Sequence, residues 1–337
     1  MSISGTEHPS RRNALMLAAV LGGALWTGGR AQARTTAGPS RGGTPELSAR
    51  GRAWLTGLRL HCPTVMQSFA FDEVNGDLYA LQVVQGGLRL AGESRAYTHA
   101  ERARRGDLCL NRLSMKGALT GHMFLKGFGH GGAMGVGERR GSSSLWTEWD
   151  ANPASGYGRG VCRFRFADGR VLTRNSPGIS AYRPVPGSTS NYVTLDPDRG
   201  RLLLRYKVEG TPRFAVYDIT RFAAWDFRQL ADFAQPDAHL GLPFQGMALY
   251  GDSVYQLMGS GYGPDNPATS SGNTRISRIN WRTRTVDQEY RDRTAPGLSW
   301  REPEGLAVRR SDRRLYIGFA EGAPGRRRFS LYAKRLR

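Results

Sequence analysis

Cysteine is scarce in this chain of 337 residues, which holds three, Cys62, Cys109 and Cys162, with no C-x-x-C pair. Closely spaced cysteine pairs are the usual framework of structural zinc sites, so no such framework is present. Outside the cell two of the three could form a disulfide and leave one thiol over, but three buried free thiols fit the sequence equally well. The sequence predicts neither a metal nor a cofactor.

Short catalytic signatures are also missing. The chain contains no H-E-x-x-H, G-x-S-x-G, S-x-x-K or P-loop motif, which excludes the standard forms of the enzymes that carry them. A G-x-G-x-x-G does occur at Gly127, Gly129 and Gly132. A dinucleotide loop needs a strand before it and a helix after it. The residues that follow show no helical period, so we do not predict a nucleotide site.

The N-terminal apolar run is too short to cross a membrane, which takes about 20 residues. This run, Ala14–Trp26, follows the pair Arg11-Arg12 and precedes the A-x-A triplet Ala31–Ala33. The order is typical of an export signal, and the two arginines favour the Tat route over Sec. We therefore predict a signal over 1–33 and a linker over 34–55. The mature protein is predicted to be secreted or wall-associated, with no membrane span.

Acidic residues are outnumbered, at 28 against 48 basic residues, which gives a formal net charge of +20. Without residues 1–33 the charge is +18. A basic protein outside the cell suggests an anionic partner such as teichoic acid, another acidic glycan or membrane lipid. The alternative is that arginine replaces lysine across the surface, as GC-rich genomes encode it, because only four residues are lysine. Export disfavours nucleic acid as a partner, and we predict a monomer.

Five short segments repeat along the chain at spacings of 54 to 63 residues. They are QSFAF from Gln67, HGGAM from His130, NYVTL from Asn191, QGMAL from Gln245 and EGLAV from Glu304. Each is followed, after a polar turn, by a second apolar run: LYALQ, LWTEW, LLLRY, VYQLM and LYIGF. Such strand, turn, strand units are typical of antiparallel hairpins. The sequence therefore predicts an all-β, five-bladed β-propeller over 56–337, with about sixty residues per blade.

The rest of each repeat unit leaves room for two more strands. Runs suited to strands lie within 161–172, 214–219 and 275–290. Helix is predicted only over 45–58 and 218–227. The fourth residue of each aligned segment is small, which fits innermost strands that crowd around a central axis.

The first residues of the five aligned segments are all polar, and they are the predicted ligand-binding ring. Inner strands of a propeller run parallel to the axis, so their first residues converge on one mouth of the channel. This ring consists of Gln67, His130, Asn191, Gln245 and Glu304. The alternative is that the five side chains hydrogen-bond one another and water, and so seal the channel.

Two charged residues, Glu148 and Arg205, share one position in the second runs of adjacent units, where the other units hold Leu81, Leu257 and Gly318. They form either a salt bridge between blades or part of a site. The planar fork of an arginine suits carboxylate or phosphate, so Arg205 joins the predicted ligand-binding residues.

If the protein is an enzyme, the candidate catalytic residues are His130, Glu148, Asp150 and Glu304. Two carboxylates can cleave a glycosidic bond between them. His130 is suited to act as the base of a phosphodiesterase.

Several of these blocks together resemble one family. They are SFAFDEVNGDLYALQ, GFGHGGAMGVG, LWTEWD, LLLRY, FQGMALYGDSVYQLMG and EPEGLAV. Their order is similar to that in the TagC-like β-propellers, named for teichoic acid biosynthesis protein C and shared with receptor-binding proteins of phages of Gram-positive bacteria. The resemblance runs from about residue 60 to the C-terminus. It implies a propeller and recognition of wall teichoic acid.

Three functions follow from these observations. The leading one is an exported module that binds an anionic cell-wall glycopolymer at the channel mouth. The second is a hydrolase that cleaves a glycosidic or phosphodiester bond in such a polymer. The third is a scaffold that binds proteins through long loops such as residues 258–273.

Overall fold

The computed structural model describes residues 47–139 and 141–336, which belong to one compact unit. The predicted signal, and the predicted linker up to residue 46, lie outside the described residues. Within the described part of the chain, no helix is both long and apolar enough to span a membrane.

The described residues form five antiparallel sheets in chain order, which are the five blades of a β-propeller. The first blade holds β2 (Met66–Asp72), β3 (Asp77–Val83), β4 (Leu108–Ser114) and β5 (Leu119–Lys126), and its edge pairs in parallel with β9 (Val171–Thr173). The second holds β6 (Gly135–Arg139), β7 (Ser142–Ala151), β8 (Gly158–Phe164) and β10 (Ser180–Tyr182). The third holds β11 (Thr189–Asp196), β12 (Arg201–Val208), β13 (Thr211–Asp218) and β14 (Gln229–Ala234).

The last two blades complete the ring. The fourth holds β15 (Phe244–Tyr250), β16 (Ser253–Met258), β17 (Arg275–Asn280) and β18 (Thr285–Arg291). The fifth holds β19 (Glu302–Arg309), β20 (Arg314–Glu321), β21 (Arg328–Arg335) and, from the other end of the chain, β1 (Arg52–Leu58). Two short helices lie between strands, α1 (His99–Arg105) and α2 (Ile219–Ala223). The predicted five-bladed fold is confirmed.

The first strand, β1, closes the propeller because it is the outermost strand of the last blade. It pairs with β21, from Arg52 against Ala333 to Leu58 against Phe329. The predicted helix over 45–58 was therefore wrong. Trp54, Leu55 and Leu58 pack against the core between the fifth and first blades, and the extended strand satisfies its backbone groups against β21.

The other helix predictions had mixed outcomes. The predicted helix over 218–227 is confirmed in part as α2, which Asp218 caps by accepting bonds from the N–H groups of Thr220 and Arg221. Helix α1 was missed. It begins with a capping box in which Thr98 and Glu101 bond reciprocally, a pattern that the sequence does contain.

Strand pairing confirms the repeat alignment in four blades and corrects it in the second. The fifth residue of each aligned segment pairs with the first residue of the following run, as Phe71 pairs with Leu78. In the second blade the partner of Leu145 is Val136 and not Met134. The second segment is therefore GAMGV, from Gly132, and the alignment from His130 was wrong by two residues.

Small residues crowd around the axis, as predicted. The fourth residues of the corrected segments all line a narrow cavity between the inner strands: Ala70, Gly135, Thr194, Ala248 and Ala307. The cavity has a volume of about 40 Å³, room for only a few water molecules at roughly 10–15 Å³ each. The channel therefore has no room for a polymer, and any such ligand must bind at a mouth.

Substitution of Gly246 by alanine tests how closely the inner strands pack around the axis. An ideal Cβ there would lie 2.8 Å from the Cα of Gly305 on the next inner strand, and backbone cannot move aside cheaply. We expect Gly246→Ala to lower the free energy of unfolding by about 1–3 kcal/mol, measured by urea denaturation. Gly263→Ala is the matched control, because a Cβ there meets nothing within 4 Å. Equal stability of both variants would contradict the close packing.

All three cysteines are buried free thiols. Cys62 and Cys109 belong to the same buried cluster of apolar side chains. Of the two alternatives for the cysteines, the structure has three free thiols and no disulfide.

Candidate binding site at the channel mouth

The inner strands meet in a ring at the end of the channel where they begin, which we call the mouth. The hydroxyl of Ser68 in the first blade donates to the carbonyl of Gly131, at 2.6 Å. An ideal Cβ on Gly132 would lie 2.8 Å from the ring of Tyr192 in the third blade. The Tyr192 ring in turn stacks on Phe244 of the fourth blade, with centroids 5.5 Å apart.

The remaining contacts close this ring. Gly246 of the fourth blade touches the backbone of Gly305 in the fifth, and a Cβ on Gly305 would lie 3.1 Å from the Cα of Ser68. Four of the contacting residues stand one residue after a predicted ring position: Ser68, Tyr192, Gly246 and Gly305. Four predicted residues therefore lie together at the mouth: Gln67, Asn191, Gln245 and Glu304.

The same four residues fall at irregularities of the strand ladders. In four of the five inner strands the register shifts at the mouth: between Met66 and Ser68, Thr189 and Tyr192, Phe244 and Gly246, and Pro303 and Leu306. The predicted polar residue lies inside each shift. Such bulges re-aim side chains next to functional sites. At the mouth, four blades thus each have a polar residue that lies outside the regular strand pairing.

Two of these residues are held by the backbone around them. The Nδ2 of Asn191 donates to the carbonyl of Gly158 at 3.1 Å, and its Oδ1 accepts from Ser188 at the same distance. The Nε2 of Gln245 donates to the carbonyl of Gly259 at 2.8 Å. No hydrogen bond joins two members of the predicted ring in the described part of the chain, so mutual bonding does not seal the mouth.

The other two, Gln67 and Glu304, are buried without protein partners. Their exposed fractions are 8% and 4%, and neither side chain bonds to another described residue. Burial raises the pKa of Glu304 well above its ordinary value, and the nearby charge of Glu302 adds to the effect. The protonated form of Glu304, which can donate as well as accept a hydrogen bond, is therefore favoured relative to an exposed glutamate.

The loop that carries His130 is shaped by Glu148 of β7. The Oε2 of Glu148 accepts from the N–H groups of His130 and Gly131, at 2.7 and 2.5 Å, and its Oε1 accepts from Gly158 at 3.0 Å. A Cβ on Gly129 would lie 2.6 Å from the Cβ of Glu148, so the glycine permits this approach. Burial raises the pKa of Glu148 to about 7, although the three N–H groups oppose the shift.

The imidazole of His130 lies beside Tyr157, with ring centroids 5.0 Å apart. Burial lowers its pKa to about 4, so the ring is neutral near pH 7. Tyr157 also contacts Tyr192, at 6.5 Å between centroids. His130 therefore belongs to an aromatic group at the mouth, although it stands two residues before the corrected repeat position.

Arg205 is buried at the mouth without a carboxylate partner. Its exposed fraction is 4%, and its guanidinium lies 4.4 Å from the ring centroid of Phe244 and 5.3 Å from that of Tyr192. Its Nε donates to the Oε1 of Gln235 at 2.8 Å, but no described residue accepts from its two terminal nitrogens. Burial lowers its pKa, and neighbouring Tyr192 and Glu148 oppose the shift. Glu148 and Arg205 form no ion pair with each other.

Asp150, a candidate catalytic residue if the protein is an enzyme, forms ion pairs with three arginines. Its carboxylate pairs with Arg159, Arg174 and Arg183. Although burial raises the pKa of Asp150, the bond from Arg159 and the charge of Arg183 lower it overall. This carboxylate is fully engaged with protein cations, unlike that of Glu304.

Sequence reasoning missed four neighbours of Arg205 and His130: Tyr157, Tyr192, Phe244 and Gln235. Tyr192 and Phe244 are adjacent to predicted ring positions, so an aromatic residue beside the polar one was an available signal. Tyr157 and Gln235 lie just before β8 and just after β14, outside the repeated segments. No sequence pattern marked them.

Comparison with known proteins identifies the family. The model of the phage 5-bladed beta propeller receptor binding platform domain matches residues 65–333. The chain belongs to this family. The "Putative major teichoic acid biosynthesis protein C" of Bacillus subtilis (strain 168) is 29% identical over 150 residues, which are 44% of this chain and 31% of that protein. The predicted TagC-like resemblance is confirmed.

A solved structure agrees on the fold of this receptor-binding platform domain. The tail fiber of Staphylococcus aureus phage P68 matches with a TM-score of 0.64 and 17% identity, over 85% of this chain and 53% of the fiber chain. At that identity the match shows the fold alone. A GH43_1 enzyme from Xanthomonas citri, complexed with xylotriose, matches with a TM-score of 0.44 and 15% identity, over 83% and 90% of the two chains. That score carries no argument about chemistry.

Proposed function

We propose that this propeller is exported and binds an anionic cell-wall polymer of the teichoic acid type at the mouth of its channel. The observation that carries the proposal is Arg205, a buried cation that has no carboxylate partner among the described residues and whose two terminal nitrogens find no acceptor there. Burial of an unpaired charge is costly. A phosphate of the ligand removes this cost when it binds the guanidinium fork.

The neighbouring side chains suit the rest of a polyol or sugar phosphate unit. Glu304 and Gln67 offer unsatisfied hydrogen-bonding groups for hydroxyls, and the rings of Tyr157 and His130 offer an apolar surface. The channel is too narrow for the polymer to enter, so the polymer lies across the mouth. The match to a receptor-binding platform family and the name of the Bacillus relative both support a cell-wall polymer as the ligand.

Binding to purified glycerol-phosphate teichoic acid tests the proposal. We expect the affinity to fall by at least about tenfold between about 0.05 M and 1 M salt, because the screening length drops to ~3 Å at 1 M. Isothermal titration calorimetry measures the affinity, and neutral dextran serves as the control polymer. Absence of binding to teichoic acid at low salt would overturn the proposal.

A hydrolase remains the second candidate, and one observation favours it. Glu304 is a buried carboxyl whose pKa is raised by burial, and no described residue bonds to its side chain, as expected of a general acid. Its proposed role is to protonate a leaving oxygen of the polymer. Incubation of the protein with purified teichoic acid distinguishes the two candidates. Released fragments that disappear in a Glu304→Gln variant indicate a hydrolase, and an intact polymer indicates a binding module.

A further inference from the structure

A second cavity opens at the same end of the propeller as the mouth, between the fifth and first blades. Its volume is about 760 Å³. One wall is the segment 59–63, which leads from β1 into β2, and another is the turn 321–328 between β20 and β21. Ser299, three residues before β19, also lines it. The strands β2 and β19, which carry Gln67 and Glu304 at the mouth, begin three residues after the lining residues Pro63 and Ser299. We call this cavity the arginine cleft.

The charge of the arginine cleft is strongly positive and largely unpaired. It is lined by Arg59, Arg326, Arg327 and Arg328 against the single carboxylate of Glu321. Glu321 is already engaged, since its Oε1 accepts from the hydroxyl of Ser330 at 2.5 Å. No ion pair joins any of the four arginines to a carboxylate in the described part of the chain.

Two other cavities are basic but differ in this respect. The one that borders the start of β4 has an arginine paired with Asp107, a lysine paired with Glu93 and Arg174 paired with Asp150. The other is lined by residues at the start of β7 and the end of β8, so it lies at the far end of the strands from the mouth. Among the described residues, the first of these cavities has one cation without an ion pair, Arg104, whereas the arginine cleft, at the mouth end of the strands, has four.

The loop before β19 presents an aromatic side chain next to the arginine cleft. Trp300 is 39% exposed, and its ring lies 4.2 Å from the guanidinium carbon of Arg327. Trp300 and Arg301 both adopt positive φ, at 70° and 39°, a strained backbone that tends to mark functional loops. The fully buried Arg301 anchors the loop by donating to the carbonyls of Thr294 and Asp292.

We propose that the arginine cleft is a second subsite, which binds the anionic group of a neighbouring repeat unit of the polymer held at the mouth. This inference rests on the proposed function. Arg59 and Arg326 bind the phosphate, and Trp300 packs against the polyol or sugar beside it. A polymer that occupies both subsites binds more tightly than one repeat unit because the second contact is intramolecular.

The test compares two probes, sn-glycerol 3-phosphate and a glycerol-phosphate oligomer of about six units. Calorimetry measures both with the full secreted chain. We expect the double variant Arg59→Ser, Arg326→Ser to bind the oligomer at least about tenfold more weakly and the monomer unchanged. Trp300→Ala is expected to weaken oligomer binding several-fold. The matched control is Arg165→Ser with Arg170→Ser, which removes two arginines from the cavity at the far end.

The outcomes separate the two proposals. If the Arg59, Arg326 variant binds the oligomer as the wild type does, the second subsite is overturned and the proposed function stands. If the control pair weakens oligomer binding equally, general surface charge explains the affinity and the subsite is also overturned. If the wild-type protein binds neither probe, the proposed function fails together with the subsite.

Discussion

Replacement of Arg205 by methionine is expected to weaken binding of teichoic acid by at least about 30-fold while the fold stays as stable as before or becomes more stable. Loss of one partner of a buried charge pair costs about 2–5 kcal/mol of binding free energy. In the free protein the guanidinium has no carboxylate partner, so its removal also removes the cost of burying an unpaired charge. Calorimetry measures the affinity and urea denaturation the stability.

Two further variants make the Arg205 result specific. Arg205→Lys keeps the charge but loses the planar fork, so we expect an affinity between those of the wild type and the methionine variant. Arg221→Met is the matched control, because Arg221 is exposed on α2 of the same blade. Wild-type affinity in Arg205→Met would show that the polymer does not bind at the mouth.

Replacement of Glu148 by alanine is expected to lower the free energy of unfolding by about 3–5 kcal/mol. The three N–H groups of His130, Gly131 and Gly158 lose their acceptor, and a buried side chain leaves a cavity. Teichoic acid binding should fall as well, since the loop that carries His130 loses its support. Urea denaturation measures the stability. A loss below about 1 kcal/mol would show that other groups can satisfy these donors.

The pH dependence of the free energy of unfolding provides a second test of how Glu148 contributes to stability. Its folded-state pKa, about 7, lies above its ordinary value of 4.5. The folded state therefore keeps the proton that the unfolded state has released, and the contribution of Glu148 to stability declines as pH rises from 4.5 towards 7. We expect Glu148→Gln, which keeps one acceptor oxygen, to recover part of the stability lost in the alanine variant and to lack this decline.

The repeat in the sequence was sufficient to predict the fold. Strand, turn, strand units are local patterns, and their recurrence at similar spacing specifies blades without knowledge of any long-range contact. The small fourth residue also predicted which face of the inner strands lines the axis. The same repeat placed Gln67, Asn191, Gln245 and Glu304 at one mouth, because equivalent residues of parallel inner strands must lie at the same end.

The register of the second blade could not be read in the same way. Its segment, GHGGAMGVG, is so rich in glycine that a shift by two residues preserves the pattern of small and apolar residues. The structure decides the register through side chains from elsewhere: Glu148 binds the N–H groups of His130 and Gly131, and Leu145 pairs with Val136. Pairing of β1 with the last blade likewise joins opposite ends of the chain.

The sequence by itself determined the propeller, its five blades and four of the polar residues at the mouth. Only the tertiary structure decided that Arg205 lacks a carboxylate partner among the described residues. It also decided that Glu148 binds the backbone of the loop that carries His130, and that Asp150 forms ion pairs with arginines. The physical reason is that local patterns specify strands and their faces, whereas the pairing of a charge depends on groups brought close by packing. Gln235, thirty residues beyond Arg205, is such a group.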